Sequence, residues 1–233
     1  MSRKFKFWLV VLFLFLGRCV YKEYQKPSRY RWHPSECAAY HYRMKVLNIS
    51  LDWEGGGTGT LNLITGGKGW GNSHGAYQVG DPYKPVPSRL LVRWFSIPER
   101  KFYEGDFSLP VDKIEELLKK SEFNFIYPCL APHGKVSLFI AGAFENEKDY
   151  LPDGHIDKFS EDVFKTDIAR FQASEVKDYY KKYPRDTVRI DTTHYFIDFK
   201  NKEYIKEHGI PNTWDWPRYN RWKVRDGTQE HPY

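Results

Sequence analysis

At 233 residues the chain suits one substantial core rather than two full domains. Its 18% aromatic content, from 8 Trp, 17 Tyr and 16 Phe, excludes a disordered chain and favours strands, where large rings pack on a pleated surface. The formal charge of +6 falls to +2 once Arg3, Lys4, Lys6 and Arg18 of the N-terminal segment are set aside, which argues against nucleic acid as a partner.

The chain opens MSRKFKFWLVVLFLFLGRC: three cations, an apolar run from Phe7 to Leu16, then Gly17, Arg18 and Cys19. This is a signal-peptide layout, and the run is too short to span a bilayer as an ordinary helix. A cysteine directly after the run resembles a bacterial lipoprotein signal, so residues 1–18 are expected to be a signal peptide and Cys19 the lipidated residue. Arg18 stands where that signal usually has a small residue, which keeps an uncleaved inner-membrane signal anchor as the alternative. Val20 follows Cys19 in place of the Asp that retains many lipoproteins at the inner membrane. The expected address is therefore the outer membrane, facing the periplasm.

Residues 19–37 are polar and aromatic with two prolines and read as a lipidated N-terminus and linker, with a single globular domain over 38–233. The basic, aromatic stretches KPSRYRWH (Lys26 to His33) and RYNRWK (Arg218 to Lys223) read as cationic surface rather than a base-stacking face. If Cys19 carries lipid, Cys37 and Cys129 remain, either as a disulfide suited to an exported protein or as two buried thiols.

AAYHYRMKVLNISLDW ending at Trp53 alternates as a long strand, joined to a second strand at Thr60 to Thr65 by the glycine-rich WEGGGTGT. That glycine cluster is not a Walker loop, because Lys68 is followed by Gly69 and Asn62 occupies the required glycine position. Gly71-Asn72-Ser73-His74-Gly75 spells the G-x-S-x-G of a hydrolase nucleophile elbow. The elbow needs an apolar strand before it and a helix after it. TGGKGW and AYQVGDPYKPVP supply neither, so the stretch reads as a loop.

SRLLVRWFSI (Ser88 to Ile97) predicts a central strand, followed by a hairpin turning at Glu104-Gly105-Asp106. Pro110, early acids Asp112, Glu115 and Glu116, and closing Lys119 and Lys120 predict a helix burying Val111, Ile114, Leu117 and Leu118. Gly134 to Phe144 predicts a strand entered by a Pro132-His133-Gly134 turn. Asp153 to Asp157, DGHID, holds two acids and one histidine, too few ligands for a metal site. A second helix is predicted over Ser160 to Tyr183 and a strand over Thr187 to Lys200, with a turn-rich tail beyond Gly209. Strands flanking two helices without regular alternation predict an α+β fold, sandwich-like, with a mainly antiparallel sheet.

The middle of the chain carries Trp94-Phe95-Ser96 ending a strand, then Lys101-Phe102-Tyr103, then Leu109-Pro110 opening a helix. This pattern resembles a family of Gram-negative lipoproteins catalogued as a domain of unknown function. The resemblance implies no catalytic residues and no cofactor. It implies an envelope lipoprotein, and, because such proteins look like companions of interbacterial toxin systems, an immunity protein that sequesters a toxin acting on the cell envelope. Trp70, Trp214, Trp216 and Trp222 are the candidate anchors for a protein partner. The competing readings are a hydrolase using Ser73 and a structural envelope lipoprotein with no dedicated ligand.

Overall fold

Residues 27–58, 64–65, 69–71, 81–143, 164–186, 190 and 199–217 are described by a computed structural model. The strands in chain order are β1 (Arg29–Pro34), β2 (Cys37–Ala38), β3 (Met44–Trp53), β4 (Gly56–Gly57), β5 (Ile64–Thr65) and β6 (Tyr83–Pro85). They continue with β7 (Arg89–Ser96), β8 (Lys101–Ser108), β9 (Phe123–Ala131), β10 (Lys135–Ala143), β11 (Phe164–Gln172) and β12 (Ser174–Glu175). Helices are α1 (Val111–Leu118), α2 (Tyr179–Lys182) and α3 (Phe199–His208).

The strands form two six-stranded sheets of one α+β domain. The first runs β11-β10-β9-β1-β6, with β2 beside β9, and the second runs β12-β8-β7-β3-β4, with β5 beside β3. Pairing is antiparallel except where β1 and β2 lie parallel to β9. Alternation along each strand sends one set of side chains between the sheets: Trp32, Ile126, Leu130, Val136 and Leu138 from the first join Val46, Ile49, Leu90, Val92 and Trp94 from the second in one buried cluster. Phe107 of β8 stacks on Phe171 of β11, ring centroids 4.6 Å apart, and ties the two sheets at that edge.

A hairpin forms within WEGGGTGT, tighter than predicted; of the predicted return strand Thr60 to Thr65, Ile64–Thr65 pairs with β3 and residues 59–63 lie outside the described residues. Gly55 takes φ +81°, a left-handed position open to glycine, and β4 returns along β3 with Asp52 opposite Gly57. Helix α1 also forms where predicted, with Ile114, Leu117 and Leu118 buried and the Glu115–Lys119 and Glu116–Lys120 pairs at 3.1 and 2.8 Å. Val111 is exposed rather than buried.

Four expectations are corrected. The linker ends before Cys37: β1 is inserted between β9 and β6, and Cys37 pairs in register with Cys129. The hairpin between β7 and β8 turns at Ile97 to Arg100, where Arg100 adopts φ +56°. Gly105 is mid-strand, and the place a Cβ would take is filled by the Phe107 ring. The helix predicted over Ser160 to Tyr183 is instead β11, β12 and the single turn α2, because Phe164 to Gln172 finds the open edge of β10. The strand predicted to Lys200 gives way at Phe199 to α3; residues 187–189 and 191–198 lie outside the described residues.

Candidate functional site

The outer face of the second sheet is where these corrections matter. In β3 the register slips from Val46 opposite Trp94 to Asn48 opposite Arg93, a bulge that leaves Leu47 unpaired. Leu47 then joins Phe95, Ile97 and Phe102 in a second buried cluster roofed by Val176, Tyr179 and Ile190. The roof is fastened by β12 pairing with β8, by the Val176 amide donating to the Phe102 carbonyl at 2.8 Å, and by Tyr179 stacking on Phe102 at 4.4 Å.

Between roof and sheet lies an open groove of about 520 Å³, lined on the sheet side by Leu47, Asn48 and Arg93 and on the roof side by residues 182–186. Arg93 faces Asn48 on one neighbouring strand and Glu104 on the other. The Glu104 carboxylate, however, accepts from the Lys182 ammonium and the Tyr183 hydroxyl. Arg93 lies with its guanidinium carbon 4.3 Å from the centre of the Tyr183 ring, and it donates to the Tyr179 hydroxyl at 3.5 Å. Tyr179 donates in turn to Asp186 at 2.5 Å. The arrangement can hold a charged or polar ligand by hydrogen bonds.

Residues 21–213 match the model of a family described as a protein of unknown function, DUF2931. The chain belongs to the DUF2931 family. Neither the curated proteins nor the solved structures contain a match to it.

Of the residues singled out from the sequence, Cys37 and Cys129 are joined by a disulfide, Cα atoms 4.4 Å apart. Trp70 and Trp216 are core residues at 2% and 6% exposure, in ring contact at 6.2 Å, so neither is a surface anchor for a partner. Trp214 is half-buried between Lys135, 5.1 Å from its ring, and Arg170 at 5.6 Å. Cys19, Ser73, His74, His155 and Trp222 lie outside the described residues. Gly71, at the start of the G-x-S-x-G stretch, adopts φ +76°, and its carbonyl accepts from the Tyr127 hydroxyl at 2.9 Å.

A second polar cluster was not visible in sequence. The buried Glu99 carboxylate accepts from the Ser96 hydroxyl at 2.7 Å, the Tyr103 hydroxyl at 3.0 Å and the His133 backbone amide at 3.0 Å, with the His133 ring at 3.3 Å. The Ser96 hydroxyl is directed at Glu99 and not at His133. It is a clamp between two turns, and it fixes His133 at φ +60°. Among the described residues no group of three or more His, Cys, Asp or Glu is placed to hold a metal ion, and no helix is long and apolar enough to cross a membrane.

The roof of the groove is expected to respond to acid. Burial pushes the Glu104 carboxyl up, but the hydrogen bonds from Lys182 and Tyr183 outweigh it and hold the group below the ordinary carboxylate value. A depressed carboxylate stabilises the fold above its unfolded pKa and loses that contribution as pH falls through the lower folded value. Amide exchange in residues 174–186, relative to its intrinsic rate at each pH, is expected to accelerate below about pH 4.5 in the native chain. In Glu104→Gln it should already be faster at neutral pH, by about 1 kcal/mol of local stability, with the acid step gone. An acid step of unchanged size in that variant would remove Glu104 as its cause.

Proposed function

We propose that the protein is an envelope lipoprotein that acts by binding, tethered through Cys19, and that its partner is a protein toxin directed at the cell envelope, which it sequesters. The observation that carries the reading is the position of the fold relative to that cysteine. Arg29, the first residue of β1, is the tenth residue after Cys19. Ten extended residues reach at most about 35 Å, so the domain would work close to the membrane surface. The Cys37–Cys129 bond supports the same compartment, since disulfides persist in oxidising spaces such as the periplasm. The open groove, lined by Asn48, Arg93, Lys182 and Arg185, offers polar and cationic side chains to a partner, which supports binding.

The test is intact mass and fractionation of the chain expressed in a Gram-negative host, beside Cys19→Ser, followed by affinity capture from envelope extract. The expected result is a mass equal to the chain from Cys19 plus a diacylglyceryl and an acyl group, lost in the variant, and one stoichiometric protein partner. A retained leader or an unmodified soluble product would overturn the tether, and a modified chain that captures no partner would overturn the sequestering role.

A further inference from the structure

We infer that the groove on the outer face of the second sheet binds an oxyanion, a carboxylate or phosphate group of a small ligand, between the guanidinium groups of Arg93 and Arg185. This assignment rests on the groove's own side chains and stands whether or not Cys19 carries lipid.

Arg93 is not bonded to the acid that faces it and donates instead to Tyr179. In the strand register its natural counter-ion is Glu104, directly opposite on β8. That carboxylate is instead taken by Lys182 and Tyr183 from the roof. The other acid of the groove, Asp186, accepts from Tyr179. Among the described residues neither Arg93 nor Arg185 makes an ion pair, although both line the same groove. Among the described residues three cations (Arg93, Lys182, Arg185) thus face two carboxylates (Glu104, Asp186); Arg93 acts on Glu104 only through space, without a salt bridge.

Arg93 is also held in a binding posture. The Tyr183 ring covers one face of its guanidinium, and the bulge in β3 brings Asn48 beside it. Stacking restricts the long side chain before any ligand arrives, while leaving the donors of the planar fork other than the one directed at Tyr179 for an acceptor. A guanidinium edge matches two oxygens of a carboxylate or phosphate, and a preorganised fork loses less rotamer freedom on binding. An arginine serving only to hold the roof would be expected to pair with the facing glutamate.

The test uses the full chain in zwitterionic detergent with 15N-labelled arginine, titrated with inorganic phosphate, with acetate and with soluble dihexanoylphosphatidylglycerol. The Nε–Hε signals of Arg93 and Arg185 should shift together and saturate, with a Kd of millimolar order, about −4 kcal/mol. Arg93→Lys keeps the charge and loses the fork, and should weaken binding about tenfold. Arg185→Gln, at an exposed position, should do likewise without affecting the fold, while Arg89→Gln, which removes an arginine already paired with Asp106, should leave binding unchanged. Saturation by the lipid at lower concentration than by phosphate would identify a headgroup as the source; the reverse order would identify a free acid or phosphate. Shifts that do not saturate, or that fall equally in Arg89→Gln, would overturn the site and reduce it to general cationic attraction.

Discussion

Replacing both Cys37 and Cys129 by serine is expected to lower the melting temperature by roughly 10–15 °C, the largest effect of any substitution considered for this fold. The bond closes a loop with a sequence separation of 92 residues. In the chain-entropy model such a crosslink disfavours the unfolded ensemble by about 4–5 kcal/mol. Both residues are fully buried in the main cluster, so serine additionally places hydroxyls where sulfur now packs. Thermal unfolding of the double variant beside the native chain, each with and without reductant, checks the effect. The native chain with reductant, once unfolded and refolded, should resemble the variant. Equal melting points in all samples would show that the bond contributes nothing to the fold.

Trp94→Ala is expected to cost about 3–5 kcal/mol, as for large-to-small changes at fully enclosed aromatic sites. Trp94 has no exposed surface, lies between Val46 and Tyr103 in the register, and stacks on Tyr103 with centroids 5.3 Å apart. Its loss would also free Tyr103, whose hydroxyl holds Glu99 and through it the His133 turn. Trp94→Phe should cost far less, about 1–1.5 kcal/mol, because the indole Nε1 makes no hydrogen bond that phenylalanine would forfeit. Denaturant midpoints of the two variants decide this. If phenylalanine costs as much as alanine, the indole nitrogen has a role that the packing does not explain.

The elements legible in the sequence were those whose local pattern and tertiary role agree. Met44–Trp53 and Arg89–Ser96 are apolar enough to demand a sheet, and Val111–Leu118 carries its own helix signals in Pro110 and the two i,i+4 ion pairs. The failures came where a distant partner decides. Phe164, Ile168 and Phe171 fall at helical spacing, yet the edge of β10 captures that segment as β11, with a register shift at Leu138 that absorbs the mismatch. RYRWHP reads as polar linker because only Trp32 of β1 is fully buried, and its place depends on β9, some ninety residues on. The groove was illegible for the same reason: Leu47 and Asn48 from a bulge, Arg93 from β7 and residues 182–186 from a roof share no sequence signal. The four tryptophans were visible as unusual residues, but the burial of Trp70 and Trp216 in the core was not.

The parallel course of β1 along β9 has a mechanical consequence. A pull on the chain ahead of Arg29, directed along the strand, would load the hydrogen bonds of β1 to β9 and β6 together in shear, the direction in which a sheet resists most. Should those bonds part, only residues 29–36 could be drawn out before the slack ended at Cys37. From there the load would cross the sulfur bridge into Cys129, within the central strand β9, and bypass the intervening ninety residues altogether. The fold is built like a cleat, and whatever tugs at its N-terminal line need not disturb the groove on the opposite sheet.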